Sequence, residues 1–193
     1  KGVSLSHSAE MLIAAVPALA EIAEIEAHSF RQLPSPDITH DDLEALVREI
    51  NRRLEDGVRG IVVTQGTDTI EESAFVIDRL VQHDAPIVFT GAMRNPTMPG
   101  PDGPANLYHA ALVALDGQAR GIGTLVVMND EIHAARYVQK LHTTSPAAFQ
   151  SSPAGALGWI IEKQARIVTR PAGRYPVKLR GAPRAARVAR LTV

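Results

Sequence analysis

Residues 67–69 bring two threonine hydroxyls and a carboxylate together immediately after a short apolar run and a glycine. A threonine hydroxyl is a weak nucleophile at neutral pH, and it needs a neighbouring base together with a group that orients that base. Thr67 and Asp68 with one lysine can supply this set, and Lys140 is our candidate for the lysine. Spacing alone does not select Lys140, since any single lysine can also be a solvated surface charge.

Thr69 has a different explanation from its two neighbours. Together with Glu72 it forms the Ser/Thr-x-x-Glu pattern of a capping box, which satisfies free backbone N–H groups at the start of a helix. We therefore expect Thr69 to cap a helix. Thr67 and Asp68 lie before that cap, so they carry the functional hypothesis.

The histidines offer a competing route to nucleophilic catalysis. His133 and His142 flank the Lys140 segment and could join a serine or threonine and an aspartate in a hydroxyl–His–Asp array. The chain has no Gly-x-Ser-x-Gly elbow, which disfavours this route, and a histidine satisfied in the core or at the surface is the alternative. No histidine pair has the HExxH spacing, so we predict no metal site.

Alternating strands and helices are needed to position these groups. Apolar periodicity predicts strands that end in glycine or polar residues, separated by amphipathic helices, as in right-handed βαβ units with a parallel sheet. The polar ends should share one sheet edge, where α/β proteins bind ligands. The predicted strands cover residues 22–30, 61–64, 86–90 and 124–128; the helices cover 8–17, 39–54, 70–81 and 104–118; residues 157–161 and 166–169 form an appended antiparallel hairpin.

Composition is typical of one α/β domain. The chain has 193 residues, 45% hydrophobic but only 4% aromatic, and contains no cysteine, which excludes disulfides and cysteine metal sites. No run of about 18 apolar residues occurs, so we predict no membrane span. Because the first residue is Lys1, we expect the chain to begin inside a longer natural sequence.

Charge is distributed unevenly along the chain. Residues 163–193 contain nine basic residues and no acidic one, giving +9 against −10 for the rest. A basic tail can bind nucleic acid, but this one has a single aromatic residue and three prolines. We therefore predict no nucleic-acid partner, and interpret the tail as a linker lying on acidic surfaces of the same assembly.

Several of these segments together resemble the bacterial L-asparaginase / glutaminase-asparaginase family. The matching motifs are residues 63–72 (VTQGTDTIEE), 90–94 (TGAMR), 102–107 (DGPANL), 126–130 (VVMND), 140–144 (KLHTT) and 155–158 (GALG). The resemblance implies a Rossmann-like three-layer αβα sandwich, with a mostly parallel sheet and an added antiparallel hairpin. It also implies cofactor-free hydrolysis of L-asparagine, and also of L-glutamine, to the amino-acid carboxylate and ammonia through a threonine nucleophile.

The resemblance further implies individual roles. Thr67, Asp68 and Lys140 match the family's threonine–lysine–aspartate triad, and Asp68 would also hold the substrate α-amino group. Ser35 matches the serine that binds the α-carboxylate, and Ala92 the residue whose carbonyl faces the scissile amide. The implied substrate-binding residues are Ser35, Gly66, Thr67, Asp68 and Ala92.

The resemblance also implies a division of the chain. Residues 1–169 would be the N-terminal domain without its first strand, because the family's Thr-Gly-Gly-Thr-Ile-Ala segment, which carries its first catalytic threonine, and the tyrosine that follows are not in this sequence. Residues 170–186 would be an interdomain linker, and 187–193 the first strand of a C-terminal domain. The parent protein would be a homo-oligomer, a tetramer, with each site completed by a neighbouring subunit, and cytoplasmic, with the periplasm as the alternative.

Two other functions stay open from the sequence. One is an ammonia-releasing subunit of a tRNA-dependent amidotransferase, which the basic tail favours slightly. The other is a non-catalytic amino-acid-binding homologue. Pro36 stands where related sequences often carry glutamine, and because proline has no side-chain donor it alters recognition of the amino group and the asparagine/glutamine preference.

Overall fold

The computed structural model describes residues 8–178. It contains a six-stranded sheet, a two-stranded ribbon and five α-helices. The helices are α1 (Ala9–Ala14), α2 (Leu19–Ile22), α3 (His40–Glu55), α4 (Ile70–Leu80) and α5 (Gly103–Leu115). The strands are β1 (Ile61–Thr64), β2 (Ile87–Thr90), β3 (Thr124–Met128), β4 (Glu131–Ala134), β5 (Gln139–Lys140), β6 (Phe149–Gln150), β7 (Gly158–Ile161) and β8 (Gln164–Ile167).

The sheet has a parallel core and an antiparallel extension. Its strand order is β1-β2-β3-β4-β7-β8, with β1, β2 and β3 parallel and the remaining neighbours antiparallel. Strands β5 and β6 form a separate antiparallel ribbon. Because β1, β2 and β3 are parallel, their carboxyl ends lie at one edge, as the sequence predicts.

Both faces of the parallel core are covered by helices. Along β3, Val126 and Met128 pack in the cluster that contains α3 and α4, whereas Leu125 and Val127 pack in the cluster that contains α5. This alternation is the period of a strand, and all five β3 residues are buried because both faces are covered. The predicted three-layer αβα sandwich with an appended hairpin is therefore confirmed.

The predicted strand over residues 22–30 is wrong. Helix α2 ends at Ile22, and residues 23–34 contain no helix or strand. A strand requires a hydrogen-bonding partner, and in the described sheet β1 pairs only with β2. Side-chain contacts hold the segment on α3 instead: Glu26 pairs with Arg53, and His28 lies 3.8 Å from Glu49.

Strand β4 was not predicted, although it connects the hairpin to the sheet. Asn129 and Asp130 both have positive φ, 50° and 65°, and reverse the chain between β3 and β4. Asparagine and aspartate tolerate this conformation better than most residues. The sequence analysis interpreted them only as a polar strand end, and it placed the second hairpin strand at 166–169 rather than at Gln164–Ile167.

The end of the described chain contains neither helix nor strand. Residues 170–178 are held on the body by Arg174, whose guanidinium donates to the carbonyls of Val81 and His83. The division into residues 1–169, 170–186 and 187–193 stays a prediction, and the proposed strand at 187–193 lies outside the described residues. Among residues 8–178, none of the helices combines the length and hydropathy that crossing a bilayer requires.

Candidate active site

The carboxyl ends of β1 and β2 meet tightly beside Thr67. Thr67–Thr69 form one turn of 3-10 helix between β1 and α4. A Cβ built on Gly91, just after β2, would lie 2.6 Å from the Gln65 carbonyl oxygen and 3.1 Å from Cγ2 of Thr67. Only glycine fits this approach, and its absent side chain leaves Thr67 at the sheet edge.

Lys140 bridges the threonine and the aspartate. Its Nζ lies 2.9 Å from Oγ1 of Thr67 and 2.6 Å from Oδ1 of Asp68, although 73 and 72 residues separate them in sequence. The Lys140 side chain is 14% exposed, whereas the Asp68 side chain is 64% exposed. The lysine is thus enclosed between its two partners, while the carboxylate keeps a free, water-facing side.

Lys140 reaches this position on the β5–β6 ribbon. Strand β5 pairs Lys140 with Phe149, which is buried in the core. The backbone N–H of Lys140 donates to the carboxylate of Glu71, in the first turn of α4. One helix end therefore fixes both Thr67, just before it, and the backbone of Lys140. The sequence analysis missed Glu71, because no local pattern indicates a partner 69 residues away.

Ser35 packs directly under this turn. It is 4% exposed, and its Oγ accepts a 3.3 Å hydrogen bond from the Asp68 backbone N–H. A Cβ built on Gly66 would lie 2.9 Å from the Ser35 hydroxyl, so the glycine permits this contact. Ser35, Gly66, Thr67, Asp68 and Lys140 are thus one contiguous group.

The predicted capping box at Thr69 is wrong. Thr69 is the residue before α4, but its side chain makes no cap hydrogen bond. Its hydroxyl donates instead to the Ser35 carbonyl at 2.9 Å and accepts from Nε2 of Gln65 at 3.1 Å. Tertiary contact therefore replaces the local cap. A capping box does occur at Thr39 and Asp42, at the start of α3.

Ala92 lies in the exposed loop that follows β2, next to Gly91. The loop is fixed from α5: the Asp102 carboxylate accepts from the N–H groups of Met93 and Arg94, and Asn106 donates to the Gly91 carbonyl at 3.0 Å. Asp102 is the residue before α5, but its carboxylate binds this loop rather than capping the helix. The structure places Ala92 at the same sheet edge as Thr67.

Neither histidine joins this group. Nδ1 of His142 accepts from the N–H groups of Thr144 and Ser145, which closes a local turn. His133 is 1% exposed in β4, and its Nδ1 lies 2.9 Å from the hydroxyl of Ser151. Burial lowers the pKa of His133, opposed by the charge of Glu131.

Within residues 8–178, no cluster of three or more histidine and carboxylate side chains is arranged to hold a metal ion. His109 and Asp130 form a pair beyond the end of β3, with Nδ1 and Oδ1 2.9 Å apart. Burial lowers the pKa of His109, and Asp130 opposes that shift. A histidine–carboxylate pair alone does not make a metal centre.

The fold is shared with a solved structure described as a probable cytoplasmic L-asparaginase from Campylobacter jejuni. The two superpose with a TM-score of 0.85 at 32% sequence identity, over 89% of this chain and 55% of that one. The layered α/β fold described above is therefore also the fold of that solved structure.

The sequence model of the family "Asparaginase, N-terminal" matches residues 1–173, and the chain belongs to that family. L-asparaginase 2 of Bacillus subtilis is 44% identical over 154 residues, covering 79% of this chain and 41% of that protein. Glutaminase-asparaginase of Pseudomonas fluorescens is 40% identical over 167 residues, covering 86% and 46%. The chain therefore spans less than half the length of these two relatives.

Proposed function

We propose that the protein is an amidohydrolase that converts L-asparagine, and also L-glutamine, to the amino-acid carboxylate and ammonia. The observation that carries the proposal is the position of Lys140, with Nζ within hydrogen-bond distance of both Thr67 and Asp68. Membership of the asparaginase family supports the same chemistry. The named activities of the two relatives give the substrate class.

Thr67, Lys140 and Asp68 divide the work of activating a hydroxyl. One threonine of the whole protein supplies the oxygen that attacks the side-chain amide carbon, and the Thr67 group assists that attack or the later hydrolysis, with Lys140 in its neutral form taking the hydroxyl proton. As the C–N bond breaks, that proton passes to the departing nitrogen, and ammonia leaves an ester on the threonine. Water then hydrolyses the ester, with Lys140 again moving the proton. Asp68 orients the ammonium group of Lys140 between steps.

The substrate is a zwitterion, so its pocket must recognise both charges. The water-facing side of the Asp68 carboxylate suits the α-ammonium group, and the buried Ser35 hydroxyl suits the α-carboxylate. Gly66 permits the chain to approach Ser35 closely. In the proposed site, the Ala92 carbonyl faces the scissile amide. Pro36 makes no side-chain hydrogen bond that recognises the amino group of the substrate, because proline lacks a side-chain donor.

The proposal extends to the whole protein. We propose a homo-oligomer, a tetramer, in which a neighbouring subunit completes each site, and a division into residues 1–169, a 170–186 linker and a further domain beginning at 187–193. We also propose a cytoplasmic location, supported by similarity to the Campylobacter jejuni protein. Light scattering of the purified protein and cell fractionation check these two points.

The central test is ammonia release from asparagine and from glutamine by the protein expressed with any sequence that flanks these 193 residues in its gene. We expect turnover that Thr67→Ala abolishes, with Thr169→Ala as the control, because Thr169 is an exposed threonine outside the site. Turnover that survives Thr67→Ala would overturn the role of Thr67.

The same preparation separates the other functions. Absence of ammonia release together with aspartate binding, measured by calorimetry, would replace the enzyme by an amino-acid-binding protein. Ammonia release that appears only with an aminoacyl-tRNA acceptor and a second subunit would support the amidotransferase. Both outcomes contradict the proposed free-standing amidohydrolase.

A further inference from the structure

A second hydroxyl lies beside a nitrogen base in a different part of the fold. Ser151 follows β6 directly, and its Oγ is 2.9 Å from Nδ1 of His133. Nε2 of the same ring is 3.4 Å from Oε2 of Glu131. Glu131 and His133 are two residues apart in β4, so their side chains share one face of the strand. The three groups form a serine–imidazole–carboxylate array that the proposed amidase chemistry does not use.

The carboxylate of this array is oriented by the sheet. Strands β4 and β7 place Glu131 opposite Trp159, whose Nε1 lies 3.3 Å from Oε1 of Glu131. The other carboxylate oxygen is left to face His133. Nε2 of His133 is buried and makes no hydrogen bond within residues 8–178, and the Glu131 carboxylate lies 3.4 Å from it at ion-pair distance.

Burial sets the protonation state that the array requires. His133 is 1% exposed, and burial lowers its pKa, so the ring is neutral at neutral pH. In the tautomer that carries the single ring proton on Nε2, towards the carboxylate, Nδ1 accepts from the serine hydroxyl 2.9 Å away. This is the order of donors and acceptors in a serine–histidine–carboxylate triad.

The array adjoins a cavity, in whose lining Ser151 is 4% exposed. The cavity has a volume of about 380 Å³, within the range of small-molecule sites, and its polar lining comes from Asn129, Glu131, His133, Gln150, Ser151 and Ser152. Phe149 and Pro153 supply apolar wall. Among residues 8–178, no lysine or arginine lines it, so this lining suits a small neutral acyl compound better than an anion.

We propose that Ser151 is a second nucleophile, which accepts an acyl group from small, neutral, activated esters. Oγ of Ser151 attacks the ester carbonyl carbon while Nδ1 of His133 takes the hydroxyl proton. The ester C–O bond breaks, the proton passes from His133 to the leaving alcohol oxygen, and the acyl group stays on Ser151 as a new ester. Glu131 is a positioning residue that fixes the ring and its tautomer.

The test uses p-nitrophenyl acetate, an activated neutral ester. The protein, expressed with any flanking sequence, is incubated with the ester; release of p-nitrophenolate is followed by absorbance, and the acetylated residue is located by peptide mass mapping. We expect one acetyl group on Ser151 and a burst of one p-nitrophenolate per chain. All variants are built on Thr67→Ala, so that neither success nor failure depends on the amidase proposal.

Matched variants identify the array. Ser151→Ala removes the label, whereas Ser152→Ala, at the exposed neighbouring serine, leaves it unchanged. His133→Gln slows acetylation by about 100-fold, the lower range of the effect of a positioned base. Glu131→Gln slows acetylation by roughly 10-fold, because the imidazole ring loses the carboxylate that orients it. The Glu131 side chain is half-exposed, so we expect this variant to fold. Circular dichroism melts check that each variant is folded.

Two results would overturn the proposal. One is acetylation that falls on lysines or other serines with Ser151 unlabelled. The other is a Ser151 label whose rate is the same in the folded Glu131→Gln and His133→Gln variants as in the parent, which would show an ordinary hydroxyl without a base.

Discussion

Thr67 and Ser151 are two hydroxyls of one fold that lie within hydrogen-bond distance of a nitrogen base, in opposite electrostatic settings. At Thr67 the base is an ammonium group held by a carboxylate that is 64% exposed. At Ser151 the base is an imidazole that is 1% exposed. Burial disfavours charge and lowers the pKa of His133, whereas the amine of Lys140 lies against the Asp68 carboxylate.

The elements that carry the two hydroxyls and their bases also differ between the two sites. Thr67 follows a parallel strand and Lys140 comes from a separate ribbon, so their contact depends on how two elements meet. His133, Glu131 and Ser151 lie on or next to antiparallel strands, and Glu131 is paired with Trp159 across the sheet. A parallel sheet edge thus brings distant polar groups together around an open site, whereas the antiparallel extension buries His133 and Ser151.

The largest expected effect is at Lys140. Lys140→Met keeps the length of the side chain and removes the amine, and we expect kcat for asparagine to fall by about 1,000-fold, within the range for removal of a positioned base. Acetylation of Ser151 by p-nitrophenyl acetate should be unchanged in this variant. Equal loss at both hydroxyls would mean a general structural defect and would remove the distinction between the two sites.

A smaller effect is expected at Glu71, which accepts the N–H of Lys140. Glu71→Ala should lower kcat by about 10-fold with little change in KM, because a displaced Lys140 affects proton transfer more than binding. Glu71→Gln keeps an acceptor oxygen and should recover most of the loss.

The neighbouring Glu72 is the control for Glu71. It lies in the same helical turn but is exposed, so Glu72→Ala should have nearly the parent rate. If Glu71→Ala and Glu72→Ala gave the same kcat, the contact with Lys140 would have no catalytic consequence.

A still smaller effect is expected at Ser35. Its hydroxyl accepts from the Asp68 N–H, and in the proposed site it binds the α-carboxylate. Loss of one hydrogen bond of about 1 kcal/mol corresponds to a change of roughly 5-fold, so Ser35→Ala should raise KM by that factor and leave kcat nearly unchanged. Steady-state kinetics with asparagine measure both; a fall confined to kcat would place Ser35 outside the binding step.

The predictable part of this fold is the part with long, regular patterns. The strands at 61–64, 86–90 and 124–128, and the helices that follow the first two of them, are predicted by apolar periodicity, because packing on a helix-covered sheet requires it. The strand predicted at 22–30 does not form. Its sequence pattern is that of a strand, but strand pairing depends on a neighbouring strand, which a local pattern does not indicate. Strand β4 was missed because a tight Asn129–Asp130 reversal resembles a strand end.

The site was predictable only in its first half. Thr67 and Asp68 are marked by their position after β1, but Lys140 is brought to them across more than 70 residues, and only the family motif indicated it. Thr69 shows how a local rule loses to a tertiary contact, since its hydroxyl binds the Ser35 carbonyl rather than the helix start. The contact of His133 with Ser151 joins residues 18 apart, one in β4 and the other directly after β6, and neither strand was predicted.

Because His133 is neutral in the folded protein, it makes the free energy of unfolding depend on pH. Burial lowers its pKa in the folded protein, whereas in the unfolded chain it is about 6.5. As pH falls below that value, the unfolded chain binds a proton at His133 that the folded protein does not, so the free energy of unfolding decreases until the folded pKa is reached.

The pKa of His109 is lowered in the same direction, and this shift contributes equally to the parent protein and to a His133 variant. The drop in melting temperature between about pH 7.5 and about pH 5.5, either side of the unfolded histidine pKa, should therefore be smaller in His133→Gln than in the parent protein. Identical drops in thermal melts would show that His133 carries its proton in the folded state, and would remove the neutral base on which the contrast with Lys140 rests.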